Sequence, residues 1–95
     1  MNAASAHQRK TVLYRGHVQG VGFRYTAESI ARRYEVNGFV RNLTDGQVEL
    51  VAEGEKHELA AFLDDIRERM ARYIRDERMD TQPATGEFAG FAIRH

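Results

Sequence analysis

Gly16-His17-Val18-Gln19-Gly20-Val21-Gly22-Phe23-Arg24 joins a β-prone run, Lys10 to Arg15, to a run with helical periodicity, Phe23 to Tyr34. Three of the chain's eight glycines fall in this stretch. The backbone can therefore curl and turn its N–H groups inward, and a helix N-terminus with its partial positive charge follows directly. Arg24 adds a full charge and a planar fork of donors suited to two oxygens of a phosphate or carboxylate. The stretch reads as an anion cradle. Two familiar phosphate loops are excluded by spacing: the Gly-Lys-Ser/Thr of a Walker loop is missing, and a dinucleotide fingerprint needs glycine where Tyr25 stands. The alternative is a strand-to-helix turn without a ligand. Gln19 and Arg24 weigh against it, because such a turn has no use for a fork donor beside a nest of amides.

On the helical side, Phe23, Ala27, Ile30 and Tyr34 share one stripe, with Glu28, Ser29, Arg32 and Arg33 off it. This predicts a helix lying on a sheet through one apolar face, with its exit at Asn37-Gly38. Gly38 to Leu43 and Gln47 to Glu53 flank Thr44-Asp45-Gly46, where Asp-Gly supplies the positive φ of a tight hairpin. They are read as two antiparallel strands, the second ending at Gly54. Val48, Leu50 and Ala52 alternate with Gln47, Glu49, Val51 and Glu53, which predicts one face on the core and the other largely in water.

From Glu55 onward, Leu59, Phe62, Leu63, Ile66 and Met70 recur at helical spacing over about four turns, with Asp64, Asp65, Arg67, Glu68 and Arg69 outside. A paired aspartate can do acid–base work, but on the polar side of a helix it reads as solvated surface. Arg72 to Met79 reads as a strand, Thr81 to Glu87 as a loop containing the only proline, and Phe88 to Arg94 as a short closing strand. Residues 1–9 are small and polar and read as a flexible tail, leaving residues 10–95 as a single domain. The order β-α-β-β-α-β predicts an α+β, ferredoxin-like sandwich, an antiparallel sheet with two helices on one face.

Val18 to Arg24 resembles the signature loop of the acylphosphatases, and Gly38-Phe39-Val40-Arg41-Asn42-Leu43-Thr44-Asp45-Gly46-Gln47-Val48 resembles their second signature. The likeness runs from about Val12 to Phe91-Ala92-Ile93-Arg94 and is weakest between Met70 and Glu87. It implies the same fold, and hydrolysis of the carboxyl–phosphate bond of small acyl phosphates to carboxylate and inorganic phosphate. It also implies that Arg24 grips the phosphoryl group with the amides of Gln19, Gly20, Val21, Gly22, Phe23 and Arg24, while Asn42 holds the attacking water. Asn42 would act by position, because a neutral amide takes no proton at pH 7. The substrate's own phosphate oxygen could accept that proton. This division of labour suits a mixed anhydride, whose carboxylate leaves without protonation, so that positioning and charge stabilisation suffice without metal, cofactor or covalent intermediate. By itself Asn42 reads as a polar residue near a hairpin. His17 is expected at the rim, and Gly22 is expected to loosen the first helical turn. Arg15 and Arg41 either add positive field or merely solvate their strands.

Ninety-five residues make one domain with a modest core. Lysine plus arginine balances aspartate plus glutamate at 14 each, a neutral field that gives no support to strong nonspecific nucleic-acid binding. The absence of cysteine excludes disulfides, thiolate metal sites and cysteine-based phosphate-ester hydrolysis, and cytoplasm is the default compartment. No apolar run approaches a membrane span, and the N-terminus lacks a signal-peptide core. His7, His17, His57 and His95 show no ligand spacing, and only His17 lies in the loop. The expectation is a monomer acting on a small acyl phosphate, with no nucleic-acid or membrane partner. Two rival readings stand beside it. A non-catalytic phosphate- or carboxylate-binding module of the same fold is disfavoured by the presence of both Arg24 and Asn42. An RNA-binding domain of the same topology needs exposed stacking aromatics and a basic surface, for which Tyr14 and Phe39 are too few.

Overall fold

The computed structural model describes residues 7–95. Of the tail expected over residues 1–9, residues 1–6 lie outside the described ones, and His7 to Arg9 belong to the first strand. The elements are β1 (His7–Gly16), α1 (Phe23–Ala31), β2 (Val36–Asn42), β3 (Val48–Glu55), α2 (Lys56–Arg69), β4 (Ile74–Pro83) and β5 (Phe91–Arg94). They build one five-stranded sheet in the order β4-β1-β3-β2-β5. The pairs β1–β3, β1–β4 and β2–β3 are antiparallel. β5 runs parallel to β2, so the sheet of this ferredoxin-like α+β fold is mixed, where a wholly antiparallel one was expected. The chain leaves β4 at one edge and must cross the whole sheet to reach the other, and such a crossover can deliver a parallel strand where a hairpin cannot.

One face of the sheet carries both helices. Val12 and Tyr14 of β1, Val40 of β2 and Val48, Leu50 and Ala52 of β3 share that face by register, and all are buried. Against them pack Phe23, Ala27 and Ile30 of α1 and Leu59, Phe62, Leu63 and Ile66 of α2. A fully buried Leu, Ile or Phe contributes roughly 1.5–3 kcal/mol relative to an exposed one, so these stripes hold the helices in place. α1 ends at Ala31, three residues short of the expected Tyr34, and the chain continues through tightened turns, Arg33 N–H to the Ile30 carbonyl at 2.9 Å and Tyr34 N–H to the Ala31 carbonyl at 3.1 Å. Tyr34 still packs on the core edge and donates to Asp65 at 3.1 Å. The paired aspartates are thus engaged structurally: Asp64 binds Arg67 at 2.7 Å, and Asp65 also lies 3.5 Å from Arg33. At the other end of α2 the Glu55 carboxylate caps the helix, accepting from the amides of His57 at 3.0 Å and Glu58 at 3.3 Å.

The opposite face of β3 is not in water. Val51 and Glu53 are both buried, and Gly54 continues the strand where it was expected to end it. The reason is a strap, residues 84–90, that crosses this face between β4 and β5. Phe88 of the strap meets Phe39 at 5.8 Å between ring centroids, and Arg94 stacks on Phe39 at 3.9 Å. Glu53 accepts from the amides of Thr85 at 2.8 Å and Gly86 at 2.9 Å, from the Thr85 hydroxyl at 3.0 Å and from Arg9 Nε at 2.7 Å. Gly90 N–H donates to Asn37 Oδ1 at 3.0 Å, which hands the chain to β5. The long β1 carries β4 to Pro83, so Thr81 to Pro83, expected as loop, form strand; proline is tolerated at the end of this edge strand because no further partner needs its N–H.

Candidate active site

Asn42, Val48 and Tyr14 form one row across β2, β3 and β1, and the loop 16–22 begins two residues after Tyr14. The loop and Asn42 therefore lie at the same end of the sheet. Asn42 follows Val40 by two residues, so register puts it on the helix-bearing face, where α1 packs against β2.

Three anchors hold the loop on three different elements. At Gly16 an added Cβ would stand 2.5 Å from the Tyr73 carbonyl, and His17 N–H donates to that carbonyl at 2.9 Å, which ties the start of the loop to the approach to β4. The Val18 side chain is buried in the core. Gln19 Nε2 donates to the carbonyls of Leu43 and Gln47, both at 2.8 Å, which fastens the loop to the hairpin turn directly after Asn42.

Beyond these anchors the backbone turns with Gly20 at φ 78° and Gly22 at φ 79°. Both face open space, so glycine is required there for the left-handed backbone and not for clearance. Gly22 is itself the N-cap of α1, without a side-chain cap bond. None of the backbone N–H groups from Gln19 to Arg24 donates to an acceptor among the described residues, the first bond of the helix being Thr26 N–H to the Gly22 carbonyl at 2.9 Å. Six unpartnered amides, the positive end of a helix and one guanidinium thus fall within this loop and the first helical turn.

Arg24 sits half-buried on the first turn of α1 and, among the described residues, has no carboxylate within ion-pair reach. The two other arginines considered for this site are partnered: Arg41 with Glu49 at 2.7 Å and Arg15 with Asp76 at 3.9 Å. Each of these two therefore has a carboxylate nearby, which Arg24 does not. The side chain that approaches Arg24 is His95, whose Nδ1 lies 3.4 Å from Arg24 Nη1. The pairing of Arg41 with Arg94 puts His95 just beyond it at the site end of β5. Histidine spacing could not reveal this neighbour, because only the parallel docking of β5 creates it. Beside the loop, a concavity of about 430 Å³ opens between Gly16 and His17 on one side and Asp45 to Gln47 on the other, with Arg75 at its edge.

A family model described as acylphosphatase matches residues 10–93. The chain belongs to the acylphosphatase family. A curated acylphosphatase from Marinobacter nauticus is 44% identical over 85 residues, covering 88% of this chain and 92% of that protein. The acylphosphatase crystal structure from Bacillus subtilis matches with a TM-score of 0.83 at 27% identity, covering 93% of this chain and 99% of that one. The acylphosphatase from Coxiella burnetii matches with a TM-score of 0.82 at 25% identity over 99% and 100% of the two chains. With the acylphosphatase family come the fold and the enzyme class that the two motifs led us to expect. Among the described residues, no helix is long and apolar enough to cross a membrane, and no group of three or more His, Cys, Asp or Glu could hold a metal ion. Tyr14 and Phe39, the two aromatics weighed for the RNA-binding reading, are buried, the one against Phe23 and the other beneath Arg94. Neither offers a ring for a base to stack on.

Proposed function

We propose that this protein hydrolyses small acyl phosphates to carboxylate and inorganic phosphate, acting as a monomer in the cytoplasm without metal or cofactor. The observation that carries the reading is the run of unpartnered amides from Gln19 to Arg24, beside an arginine without a carboxylate, at the sheet end that bears Asn42. In this reading the Arg24 fork spans two phosphoryl oxygens, while the amides of Gln19, Gly20, Val21, Gly22, Phe23 and Arg24 receive the remaining negative charge. Asn42 orients a water toward phosphorus. As the water oxygen bonds to phosphorus, the bond from phosphorus to the acyl oxygen breaks and its electron pair leaves with the carboxylate. The water's proton passes to a phosphoryl oxygen. No side-chain base is needed, and the carboxylate is a weak enough base to leave unprotonated.

Asn42→Ala separates the two halves of this division of labour. Removing one transition-state contact of this kind costs about 10²- to 10³-fold in kcat, or roughly 3–4 kcal/mol, while a ground-state anion site made of Arg24 and amides keeps its affinity for inorganic phosphate. Turnover of benzoyl phosphate and its inhibition by phosphate, measured side by side, test this. Near-parental turnover in the variant refutes the role given to Asn42, and equal collapse of both properties makes Asn42 a binding or structural residue.

A further inference from the structure

The cradle and Asn42 reach the site on separate pieces of chain, and something must fix the gap between them. The loop rides between β1 and α1, whereas Asn42 ends β2, and the sequence separation from Gln19 to the hairpin turn is 24 and 28 residues. Among the described residues, the two bonds from Gln19 Nε2 are the only hydrogen bonds joining loop 16–22 to hairpin residues 42–47. Elsewhere the two segments are parted by the 430 Å³ concavity. The hairpin turn is a rigid partner for this clamp. Leu43 N–H donates to the Gln47 carbonyl at 2.8 Å, and Asp45 accepts from Gln47 N–H at 3.0 Å and from Gln47 Nε2 at 2.6 Å. A tie to Leu43 fixes the residue bonded directly to Asn42.

We infer that Gln19 is a positioning residue: its side-chain amide, spanning the Leu43 and Gln47 carbonyls, sets the distance between the phosphate cradle and the water-orienting Asn42. This inference rests on the role proposed for Asn42. The Gln19 side chain thus serves the hairpin, while its backbone N–H stays in the cradle. In-line attack tolerates little misplacement, and a shift of about 1 Å can cost on the order of 10²-fold in rate. Losing the clamp therefore harms turnover much more than anion binding, since the loop keeps its own shape through Gly20, Gly22 and the anchors at Val18 and Tyr73.

The test uses Gln19→Met, which keeps the length of the side chain and removes both donors, together with Asn42→Ala and the double variant. Each is measured for kcat on benzoyl phosphate and for inhibition by inorganic phosphate. Gln19→Met is expected to lower kcat by about 10- to 100-fold with phosphate affinity changed less than about threefold. In the Asn42→Ala background the same substitution is expected to cost less than about threefold, because there is no oriented water left to misplace. Three results overturn the inference: parental kcat in Gln19→Met, phosphate affinity falling in step with kcat, or an undiminished Gln19→Met loss on top of Asn42→Ala. The single Asn42→Ala variant reports separately on the Asn42 role, so failure of that reading and failure of this one are told apart. Should Gln19→Met melt below the assay temperature, Gln19→Leu, likewise uncharged and without donors, carries the same comparison.

Discussion

Glu53→Gln is expected to weaken the fold by loosening the strap that delivers β5 to the site. Glu53 is 4% exposed, and its two oxygens accept four hydrogen bonds. In the variant the amide oxygen can take the Oε2 position and keep the Arg9 and Thr85 donors, but the amide nitrogen then faces the Gly86 N–H, donor against donor. A buried N–H left without its acceptor costs about 1–3 kcal/mol, and the half-buried ion pair with Arg9 becomes a bond to a neutral amide oxygen. The expected loss is at least about 1–3 kcal/mol, from the unsatisfied amide alone, against a total of roughly 5–14 kcal/mol for a chain of this length. Urea titration at neutral pH measures it as a drop in midpoint with an unchanged slope. A variant within about 0.5 kcal/mol of the parent, no more than an ordinary surface substitution, refutes the reasoning.

The pH dependence of this gap is a second reading on the same residue. Burial pushes the Glu53 carboxyl up, but the Thr85 amide, Arg9, the Gly86 amide and the Thr85 hydroxyl outweigh it and hold the group below its ordinary value. Between the folded and unfolded values the unfolded chain binds more protons, so this contribution is fully present above about pH 4.5 and is lost as pH falls through the folded value. The stability difference between parent and Glu53→Gln should therefore shrink in strong acid. A gap that stays constant with pH assigns the effect to packing instead.

Arg24→Lys keeps the charge but loses the planar fork that the proposed mechanism sets against two phosphoryl oxygens, and both phosphate affinity and turnover are expected to fall; near-normal phosphate inhibition in that variant shows that another group holds the anion. Gly22→Ala places a Cβ on a left-handed backbone at a cost of roughly 1–2 kcal/mol, so the loop amides shift, and phosphate binding should weaken together with thermal stability, read from paired inhibition and melting curves. A chelator is expected to leave the turnover of benzoyl phosphate unchanged, because in the proposed mechanism the charge on the phosphoryl group is met by Arg24 and amides; activity lost and then restored by magnesium or zinc counts against the mechanism.

The sequence by itself determined the elements whose signals are local. Stripes at helical spacing, Asp45-Gly46 at the hairpin and glycines at the loop each act within a few residues, so the two helices, the β2–β3 hairpin and the cradle are legible in the order of residues alone. The two motifs also point to Arg24 and Asn42, the residues of the proposed chemistry. Tertiary structure alone decided what depends on pairing across long separations. The strap over β3 buries Glu53, whose alternation in sequence reads as solvent-facing, because a cover supplied from residues 84–90 leaves no mark on β3 itself. The parallel docking of β5, and with it the approach of His95 to Arg24, follows from a crossover whose course no local pattern encodes. The same holds for Gln19. Its residue type suited the loop, but that its amide reaches carbonyls 24 and 28 residues away is fixed only when β1 and β3 pair and bring the loop and the hairpin to one end of the sheet.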